Sequence, residues 1–308
     1  MDPPRNHRIR ERHEARTGWA FMAPFSIAFL FVFIIPIVIS IYKSFFRKVA
    51  GGGGLYGGGE LVDTFVGFAN YADVVTSSRF WLGMARVVGY TFIQVPIMIL
   101  LALALALVLD SYLTRHVTIY RLGYFLPYAI PGVVAAMIWL YLYSPNISPL
   151  VQTLQSWGIN IDFLGRNIVL ASMANMTTWT YTGYNMLIFL AALQAIPHDL
   201  EEAARIDGAT NWQITTKIKI PLVRGAALLA VLLSIVGTIQ LFNEPTVLSS
   251  TATWMGGDFT PMMMAYNTMM GKYSPGGDGP ASAISIVMAL IAGILAIGYA
   301  LVDRRISK

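Results

Sequence analysis

The side chains that could do chemistry are polar residues within two long apolar stretches, residues 167–198 and 225–243. The first stretch supplies hydroxyl, amide and aromatic groups: Thr180, Tyr181, Tyr184 and Asn185. The second supplies groups on one helical face or just beyond it: Ser234, Thr238, Gln240, Asn243 and Glu244. If these stretches cross a membrane, their polar side chains face a cavity or the bundle interior by default. Such groups suit a neutral polar ligand, and the alternative is hydrogen bonding between helices, worth about 0.6 kcal/mol per contact.

Groupings typical of catalysis or metal binding are missing from the sequence. The four histidines have no metal-ligand spacing: His7, His13, His116 and His198. The absence of cysteine excludes disulfides, Cys-ligated zinc and a thiol nucleophile. No Ser/His/Asp set and no pair of carboxylates stands out. We therefore predict no catalytic residue, no metal site and no cofactor bound by this chain itself.

The composition predicts an all-α integral membrane protein. Of the 308 residues, 56% are hydrophobic and 12% are charged, and the mean hydropathy is +0.60. A soluble domain carries about 25% charged residues, and a spanning helix needs about 20 apolar residues. Six windows free of Asp, Glu, Lys and Arg have about that length or more, and none alternates like a barrel strand. They predict six transmembrane helices at about residues 18–42, 87–109, 122–143, 168–195, 225–243 and 281–302.

The distribution of positive charge predicts the orientation of these spans. Lys and Arg are about twice as frequent in the N-terminal tail, the second and fourth connections and the C-terminus as in the other connections. Positive residues accumulate on the cytoplasmic side, so both termini are predicted to be cytoplasmic. The basic tail, residues 1–16, is interpreted as a topology anchor rather than a nucleic-acid-binding arm. The first apolar window exceeds a signal-peptide core of about 7–15 residues, so we expect an uncleaved span.

A glycine-rich tract at residues 51–59 lies in the first outer connection. A phosphate-binding loop would need a lysine and a helix N-terminus directly after its glycines. Glu60 follows instead. The tract is therefore predicted to be a flexible linker, and we find no nucleotide site in the sequence.

The inner connection at residues 197–224 predicts two short helices on the cytoplasmic surface. Pro197 and Asp199 would open the first helix, with Asp199 as its cap, and Gly208 would end it. A second helix would lead to Pro221 at the foot of the fifth span. From the residues alone, this connection is either a docking platform or an amphipathic connector that rests on the lipid headgroups.

The same connection carries a motif of fixed spacing, formed by Glu202, Ala203, Ala204, Gly208, Ile218 and Pro221. This motif resembles the signature loop of permease subunits in bacterial binding-protein-dependent ABC importers: Glu-Ala-Ala, three residues, Gly, nine residues, then Ile-x-Leu-Pro. Ile220 stands where the family usually has Leu. Segments 65–71, 126–131 and 242–248 are also similar to carbohydrate permeases, so the resemblance covers about residues 17–305. The first span looks like that of the maltose-permease F-type or glycerol-phosphate-permease A-type half.

The resemblance implies an ABC type I importer permease fold at residues 17–308, in the bacterial cytoplasmic (inner) membrane, and a set of partners. These are a second homologous permease, an extracytoplasmic sugar-binding protein, and two copies of a cytoplasmic ABC ATPase that binds ATP and Mg. No nucleic-acid partner is expected. The residues implied in coupling to the ATPase are Glu201, Glu202, Ala203, Ala204, Asp207 and Gly208. Glu202 is expected to contact the ATPase, with Ala203 and Gly208 permitting close approach.

The resemblance also implies substrate contacts at the maltose-permease positions, which correspond here to Tyr184, Ser234, Gly237 and Thr238. Gly237 and Thr238 are smaller than the aromatic and amide found there in the family, which leaves the shape of the pocket open. Together with the polar residues above, the predicted substrate-binding set is Tyr181, Tyr184, Asn185, Ser234, Gly237, Thr238, Asn243 and Glu244.

The substrate class follows from the charges in spans four and five. They contain no Lys or Arg, so a neutral mono- or oligosaccharide is favoured over glycerol phosphate or another organophosphate. An ATP-independent transporter is a less favoured alternative, since it should show internal repeats and buried ionisable residues. A membrane scaffold is also less favoured, because it would need no polar residues in these spans.

Overall fold

The computed structural model describes residues 5–51, 61–111 and 116–306, with the side chains of all except residues 5–16, 50 and 302–306. By its contacts the chain divides into two units, Met1–Val74 with Thr268–Ile286 and Val75–Asn267 with Val287–Lys308. Most of the glycine tract, residues 52–59, and the arginine side chains of the basic tail lie outside what is described. Their roles as a linker and a topology anchor stay predictions.

The first unit begins with one long helix. Helix α1 (Arg5–Phe29) passes through a π-helical turn (Leu30–Ile34) into α2 (Ile35–Lys43). The predicted first span, residues 18–42, is therefore helical throughout. No side chain in the most apolar part of Thr17–Lys43 is buried within the chain. Its apolar groups must be covered by lipid or by another subunit, because they contribute nothing to the protein's own core.

A two-stranded antiparallel sheet follows, formed by β1 (Phe46–Ala50) and β2 (Leu61–Phe65). The prediction of an all-α fold missed this sheet, because two strands of five residues give too short a pattern to recognise. Helix α3 (Ala69–Thr76) comes next. The Asn70 side-chain amide donates hydrogen bonds to the carbonyl of Ser44 (2.7 Å) and to that of Phe46 (2.9 Å). This buried amide therefore fixes α3 to the turn that enters β1.

In the described chain, four helices are long and apolar enough to cross a membrane, and a bent helix pair could form a fifth crossing. One of the four is α4 (Ser78–Asp110), which begins well before the predicted span at 87–109. The Ser77 side chain caps α4 by accepting a hydrogen bond from the Phe80 N–H. Helix α4 thus starts inside the outer connection, where Arg79 and Arg86 had led us to expect a loop.

The bent pair is α5 (Val117–Ala129) and α6 (Gly132–Tyr143), whose axes differ by 95°. The predicted third span at 122–143 covers most of this pair and is interrupted at residues 130–131. Pro131 disfavours helical geometry at the residue before it, and Ile130 is accordingly extended, at φ −80° and ψ 131°. Pro131 thus determines where the third predicted span bends. A short helix, α7 (Pro149–Ser156), follows.

Helix α8 (Val169–Gln194) matches the predicted fourth span at 168–195 to within a residue at each end. Because of its polar residues, α8 is not one of the four apolar helices counted above, but it is 26 residues long. That length is about 39 Å, more than the bilayer core of about 30 Å. Ala102 and Ala106 of α4 are fully buried in a cluster with side chains of α8, since small residues let membrane helices approach closely.

The remaining helices complete the chain. They are α9 (His198–Ile206), α10 (Asn211–Ile214), a π-helical turn (Thr215–Lys219), α11 (Ile220–Leu222), α12 (Arg224–Ile239), α13 (Asn243–Leu248), α14 (Pro261–Met269) and α15 (Asp278–Ile306). The predicted fifth span at 225–243 lies within the candidate span Arg224–Leu248, in which α12 ends at Ile239 and residues 240–242 interrupt the helix. The predicted sixth span at 281–302 lies within α15. In the first unit, a Cβ at Gly279 would lie 1.8 Å from the Phe46 carbonyl oxygen, so only glycine fits at that place.

Candidate functional site

A cavity of about 250 Å³ is lined by residues of α4, α5, α8 and α12, by the interruption after α12 and by the start of α13. All eight residues predicted to contact substrate line it: Tyr181, Tyr184, Asn185, Ser234, Gly237, Thr238, Asn243 and Glu244. Residues predicted on two separate spans therefore come together at one place. Their contact with a substrate stays a prediction.

Polar or aromatic residues outside the predicted substrate set also line the cavity: Tyr90, Gln94, Tyr128, Thr177, Gln240 and Phe242. Tyr90 and Gln94 belong to α4, and Tyr128 belongs to α5. The sequence contained a signal for Gln94, since an amide within an apolar span is expected to face a cavity or a neighbouring helix. It was missed because only the fourth and fifth spans were searched for such groups.

Aromatic rings form one side of the cavity. The Tyr128 ring stacks on the Tyr184 ring, with centroids 4.7 Å apart and planes at 17°. The Tyr181 ring meets Tyr128 edge to face, at a centroid distance of 5.8 Å. Ring faces of this kind can cover the apolar C–H face of a sugar while their hydroxyls stay available for hydrogen bonds.

Several of the predicted polar groups already have partners in the protein. The Thr238 hydroxyl lies 2.8 Å from the Thr91 hydroxyl of α4 and 2.9 Å from the Ile235 carbonyl oxygen. The Asn185 amide donates a hydrogen bond to the Tyr181 carbonyl at 3.0 Å. Thr238 therefore makes a hydrogen bond between helices, which was the alternative to a role in binding a polar ligand. This residue contributes to the joint between α4 and α12 as well as to the cavity wall.

Gln94 has hydrogen-bonding capacity that the protein does not use. Its side chain is 2% exposed, and its Nε2 donates to the Met98 sulfur at 3.3 Å. Its Oε1 is buried without a hydrogen-bond partner among the described residues. A buried polar atom without a partner is rare in folded proteins and calls for an explanation. Gln94 lines the cavity, although its Oε1 is itself shielded by the surrounding side chains in this conformation.

Glycine positions near the cavity residues show where helices are in close contact and where space is open. A Cβ at Gly132 of α6 would lie 2.6 Å from the Asn243 amide nitrogen, so Asn243 packs directly on α6. A Cβ at Gly183 would lie 1.8 Å from the Tyr124 carbonyl oxygen of α5. A Cβ at Gly237 would meet no atom within 4 Å. Helices α5 and α8 are thus in close backbone contact, whereas Gly237 faces open space.

Charge at the cavity is acidic or neutral. Glu244, which is partly buried, is the charged residue among the described side chains that line it, and Lys, Arg and His do not occur among them. Among the side chains that the structure describes, no three His, Asp or Glu groups lie close enough to hold a metal ion. The groups that face the cavity can therefore accept and donate hydrogen bonds and stack on a ring.

A second candidate site is the connection that carries the signature motif. Helix α9 ends at Gly208, which has a φ of +84°, in the left-handed region that glycine adopts without strain. The Ala209 N–H closes the helix by bonding the Ala204 carbonyl at 2.9 Å. Gly208 thus ends the helix as predicted. The predicted Asp199 cap was wrong, because the helix begins at His198 without a side-chain capping hydrogen bond.

The second helix of this connection starts with a capping box. The Gln213 N–H bonds the Thr210 hydroxyl, and the Gln213 side chain accepts from the Thr210 N–H at 2.8 Å. The helix then continues through the π-helical turn to Pro221, as predicted. The two predicted short helices are therefore present.

The predicted coupling residues separate into two groups. Glu202, Ala203, Asp207 and Gly208 are exposed, and Ala204 is half-buried. Glu201 differs, because it is 6% exposed and its Oε1 lies 2.8 Å from the Lys219 Nζ. Adjacent helical residues point about 100° apart, so Glu201 faces inward while Glu202 faces outward. Glu201 is therefore buried within the chain, and its predicted part in coupling to the ATPase stays a prediction.

The architecture and the motif can be compared with known proteins. The family model for the binding-protein-dependent transport system inner membrane component matches residues 77–308. The chain belongs to this family. The permease is therefore a multi-pass inner-membrane subunit of an ABC importer, and ATP hydrolysis takes place in a separate subunit.

Relatives of similar length cover nearly the whole chain. The lactose transport system permease protein LacF of Rhizobium radiobacter is 29% identical over 295 residues, 92% of this chain and 93% of the relative. The trehalose/maltose transport system permease protein MalF of Thermococcus litoralis is 28% identical over 307 residues, 99% of each chain. The sn-glycerol-3-phosphate transport system permease protein UgpA of Rhizobium meliloti is 27% identical over 290 residues, 94% of this chain and 95% of the relative.

A solved structure shares the fold. It is a bacterial ABC transporter involved in the import of the acidic polysaccharide alginate, and one of its chains matches with a TM-score of 0.80 at 19% identity. The match covers 98% of the permease and 100% of that chain. A bacterial alginate ABC transporter in complex with an alginate pentasaccharide-bound periplasmic protein also matches, with a TM-score of 0.80 at 19% identity. The permease thus has the type I importer permease fold.

Proposed function

We propose that the permease moves a neutral mono- or oligosaccharide, delivered by a solute-binding protein, through the cavity between α4, α5, α8 and α12. A second homologous permease would complete the passage. Two copies of an ATPase, which bind ATP and Mg²⁺, would supply the energy. The proposal is supported above all by the stacked rings of Tyr128 and Tyr184 beside the unpartnered Gln94 Oε1. A sugar has an apolar ring face that can stack on the tyrosine rings and hydroxyl groups that can donate a hydrogen bond to Gln94.

The charge of the cavity favours a neutral ligand over a phosphorylated one. An anion would need a cationic group or a long helix N-terminus directed at the cavity. The described lining residues include a carboxylate, Glu244, and no Lys or Arg. The relatives include both sugar and glycerol-3-phosphate systems at nearly equal identity. Overall similarity therefore does not separate the two classes, and the cavity is the better guide.

The ligand can be identified with the partner binding protein. We suggest calorimetric titration of that protein with a panel of neutral sugars, sugar phosphates and glycerol 3-phosphate, followed by ATPase stimulation in the reconstituted importer. Binding and stimulation by a neutral sugar are expected. Binding and stimulation by phosphorylated ligands alone would overturn the choice of substrate.

The cavity itself can be tested with a matched pair at Tyr184. Tyr184→Ala removes the stacked ring and should lower sugar uptake about 3- to 10-fold, since aromatic contacts contribute about 0.5–1.5 kcal/mol. Tyr184→Phe keeps the ring and should retain most of the uptake. Equal uptake by wild type and the alanine variant, at equal membrane abundance, would place the sugar pathway elsewhere.

The exposed face of α9 is proposed to dock on the ATPase. Its outward side presents Glu202 beside Ala203, which is small enough to allow close approach. Leu200 and Ile206 are apolar and exposed at 47% and 86%. Exposed apolar groups next to a charge suit a protein interface better than water.

A further inference from the structure

Three charged side chains meet where α4, α9 and the π-helical turn at Thr215–Lys219 come together. The Lys219 Nζ lies 2.7 Å from the Asp110 Oδ2 and 2.8 Å from the Glu201 Oε1. The side chains of Lys219, Asp110 and Glu201 are 11%, 14% and 8% exposed. Charges this far from water are costly unless they are paired. We call this set of three the lysine triad.

Each member of the lysine triad belongs to an element with a different task. Glu201 lies on the inward side of α9, next to the outward Glu202. Asp110 is the last residue of α4, the helix that contributes Gln94 and Met98 to the cavity wall. Lys219 closes the π-helical turn that leads into α11 and α12. The single ammonium group of Lys219 therefore joins the docking helix to a helix of the cavity.

The position of Asp110 is not explained by α4 alone. The C-terminal end of a helix carries partial negative charge, which disfavours a carboxylate there. Lys219 offsets this unfavourable interaction. Burial lowers the pKa of Lys219, but its hydrogen bonds to Asp110 and Glu201 raise it by more, so the pKa lies above its ordinary value. The ammonium group is therefore charged at neutral pH, as the two carboxylates require.

Helix α4 is suited to carry a displacement from the lysine triad to the cavity. From Met98 to Asp110 it contains no glycine or proline. This segment is about 18 Å long, at 1.5 Å per residue. Ala102 and Ala106 pack it against α8 without exposed surface. A regular, packed helix of this length moves as a unit, since interiors are close-packed and transmit strain.

We propose that Lys219 is a positioning residue that couples α9 to α4, so that a movement imposed on α9 reaches the cavity wall. The inference rests on the proposed docking of an ATPase on α9 and adds the internal connection from that contact to the substrate pathway. Coupling between distant sites requires a continuous physical connection of this kind or a shared two-state element. In the permease the connection runs from Glu201 through Lys219 and Asp110 to Met98.

The test uses the complete importer in liposomes, with Glu201→Gln and Asp110→Asn made separately. Each substitution removes one side of the connection and keeps the size of the side chain. The ratio of transported ligand to hydrolysed ATP should fall at least about fivefold in each, the lower end of typical coupling between sites. Lys217→Met is the matched control, because Lys217 lies in the same turn with an exposed side chain, and it should keep the wild-type ratio.

A merely structural role would give a different result. Assembly with the ATPase, measured by co-purification, and thermal stability are recorded for every variant. If Glu201→Gln and Asp110→Asn assemble and keep the wild-type ratio, the proposal is overturned. If either fails to assemble, the neutral triple variant Asp110→Asn, Glu201→Gln, Lys219→Met is used, because a buried ion cluster can often be replaced by neutral groups without loss of stability.

The triple variant then decides the matter. Assembly with a low transport ratio supports the proposal, whereas assembly with the wild-type ratio overturns it. Failure of all variants to assemble would make the lysine triad a folding element and would also overturn the proposal. The ligand is whichever member of the sugar and phosphate panel stimulates the wild-type importer. A wrong substrate assignment would therefore change only the ligand, and the comparison between variants would stand.

Discussion

The cavity and the lysine triad are two polar regions of the same helices with opposite hydrogen-bonding states. At the cavity, the Gln94 Oε1 has no protein partner among the described residues, and Gly237 faces open space. At the lysine triad, one ammonium group satisfies two carboxylates within 2.8 Å. Both regions are largely shielded from water, so burial alone does not separate them.

The difference indicates what each region does. A polar group that the fold leaves unpaired has free energy to gain from an external partner, since an unmet hydrogen bond is costly. A fully paired cluster gains nothing from a ligand and instead fixes its helices relative to one another. The cavity is therefore where we expect a substrate, and the lysine triad is where we expect mechanical connection.

The largest expected effect comes from comparing Gly183, where α8 is in tight contact with α5, with Gly237, where a Cβ would meet open space. Gly183→Ala would force a Cβ against the Tyr124 carbonyl oxygen at 1.8 Å, and should destabilise the permease by about 3 kcal/mol or more. Loss of folded permease in detergent, seen by gel filtration and melting, is expected. Gly237→Ala is the control and should fold normally, because its Cβ meets no atom within 4 Å. Normal folding of both variants would contradict the backbone contact between α5 and α8.

The next effect separates Glu202 from its inward neighbour Glu201. Glu202→Lys reverses a charge on the exposed face of α9, and a mismatched charge at an interface costs several kcal/mol. Uptake should fall about tenfold or more, while the melting temperature of the isolated permease should not change because the side chain is exposed. Uptake assays and melting curves on the same preparations measure both. Wild-type uptake with a normal ATPase content would show that this face does not touch the ATPase.

A smaller effect is expected at Gln94, where stability and function should change in opposite directions. Gln94→Leu removes an unpaired buried acceptor and should stabilise the permease by about 1 kcal/mol, because that acceptor is costly to bury. Sugar uptake should fall a few-fold, because the ligand loses a partner. Gln155→Leu, in exposed surface on α7, should change neither quantity. Lower stability in Gln94→Leu would mean that the amide has a structural partner and would weaken the contrast with the lysine triad.

The smallest effect concerns the pH dependence of the lysine triad. The pKa of Lys219 is raised in the folded protein, so its contribution to stability is complete below the unfolded pKa. That contribution is lost only as the pH rises through the folded pKa. Stability should therefore show no titration of Lys219 between about pH 6 and pH 9. Melting curves of wild type and the neutral triple variant Asp110→Asn, Glu201→Gln, Lys219→Met should therefore run parallel over this range, and a wild type that loses stability relative to the triple variant towards pH 9 would contradict a charged lysine.

Much of the architecture could be predicted from local sequence patterns. Charge-free windows predicted α4, α8 and α15, because apolar length is a property of consecutive residues. The connection at 197–224 was predicted with its two helices, since Gly208 and Pro221 act on their own neighbourhood. The errors lie in short segments, where few residues carry the pattern. Two five-residue strands gave no recognisable pattern, and Asp199 had the right residue type for a cap but lies inside the helix.

The candidate site likewise combines residues that the sequence predicted with contacts that it could not predict. Residue type and spacing pointed to Tyr184, Asn185 and Ser234, because a polar side chain in an apolar span is conspicuous in the sequence. Sequence spacing could not reveal that Tyr128 stacks on Tyr184, since this contact depends on the packing of α5 against α8. Gln94 on α4 differs, because its amide within an apolar span was a usable signal that a prediction limited to the fourth and fifth spans left out.

By itself, the sequence determined that the protein is helical and membrane-embedded, and that it carries an importer signature, because these properties depend on neighbouring residues along the chain. Only the tertiary structure decided that Glu201 turns inward while Glu202 turns outward. It alone brought Asp110, Glu201 and Lys219 within hydrogen-bonding distance, across 109 residues of sequence between the first and the last. The physical reason is that a buried charge takes the partner that packing brings to it, and a linear sequence does not specify which partner that is.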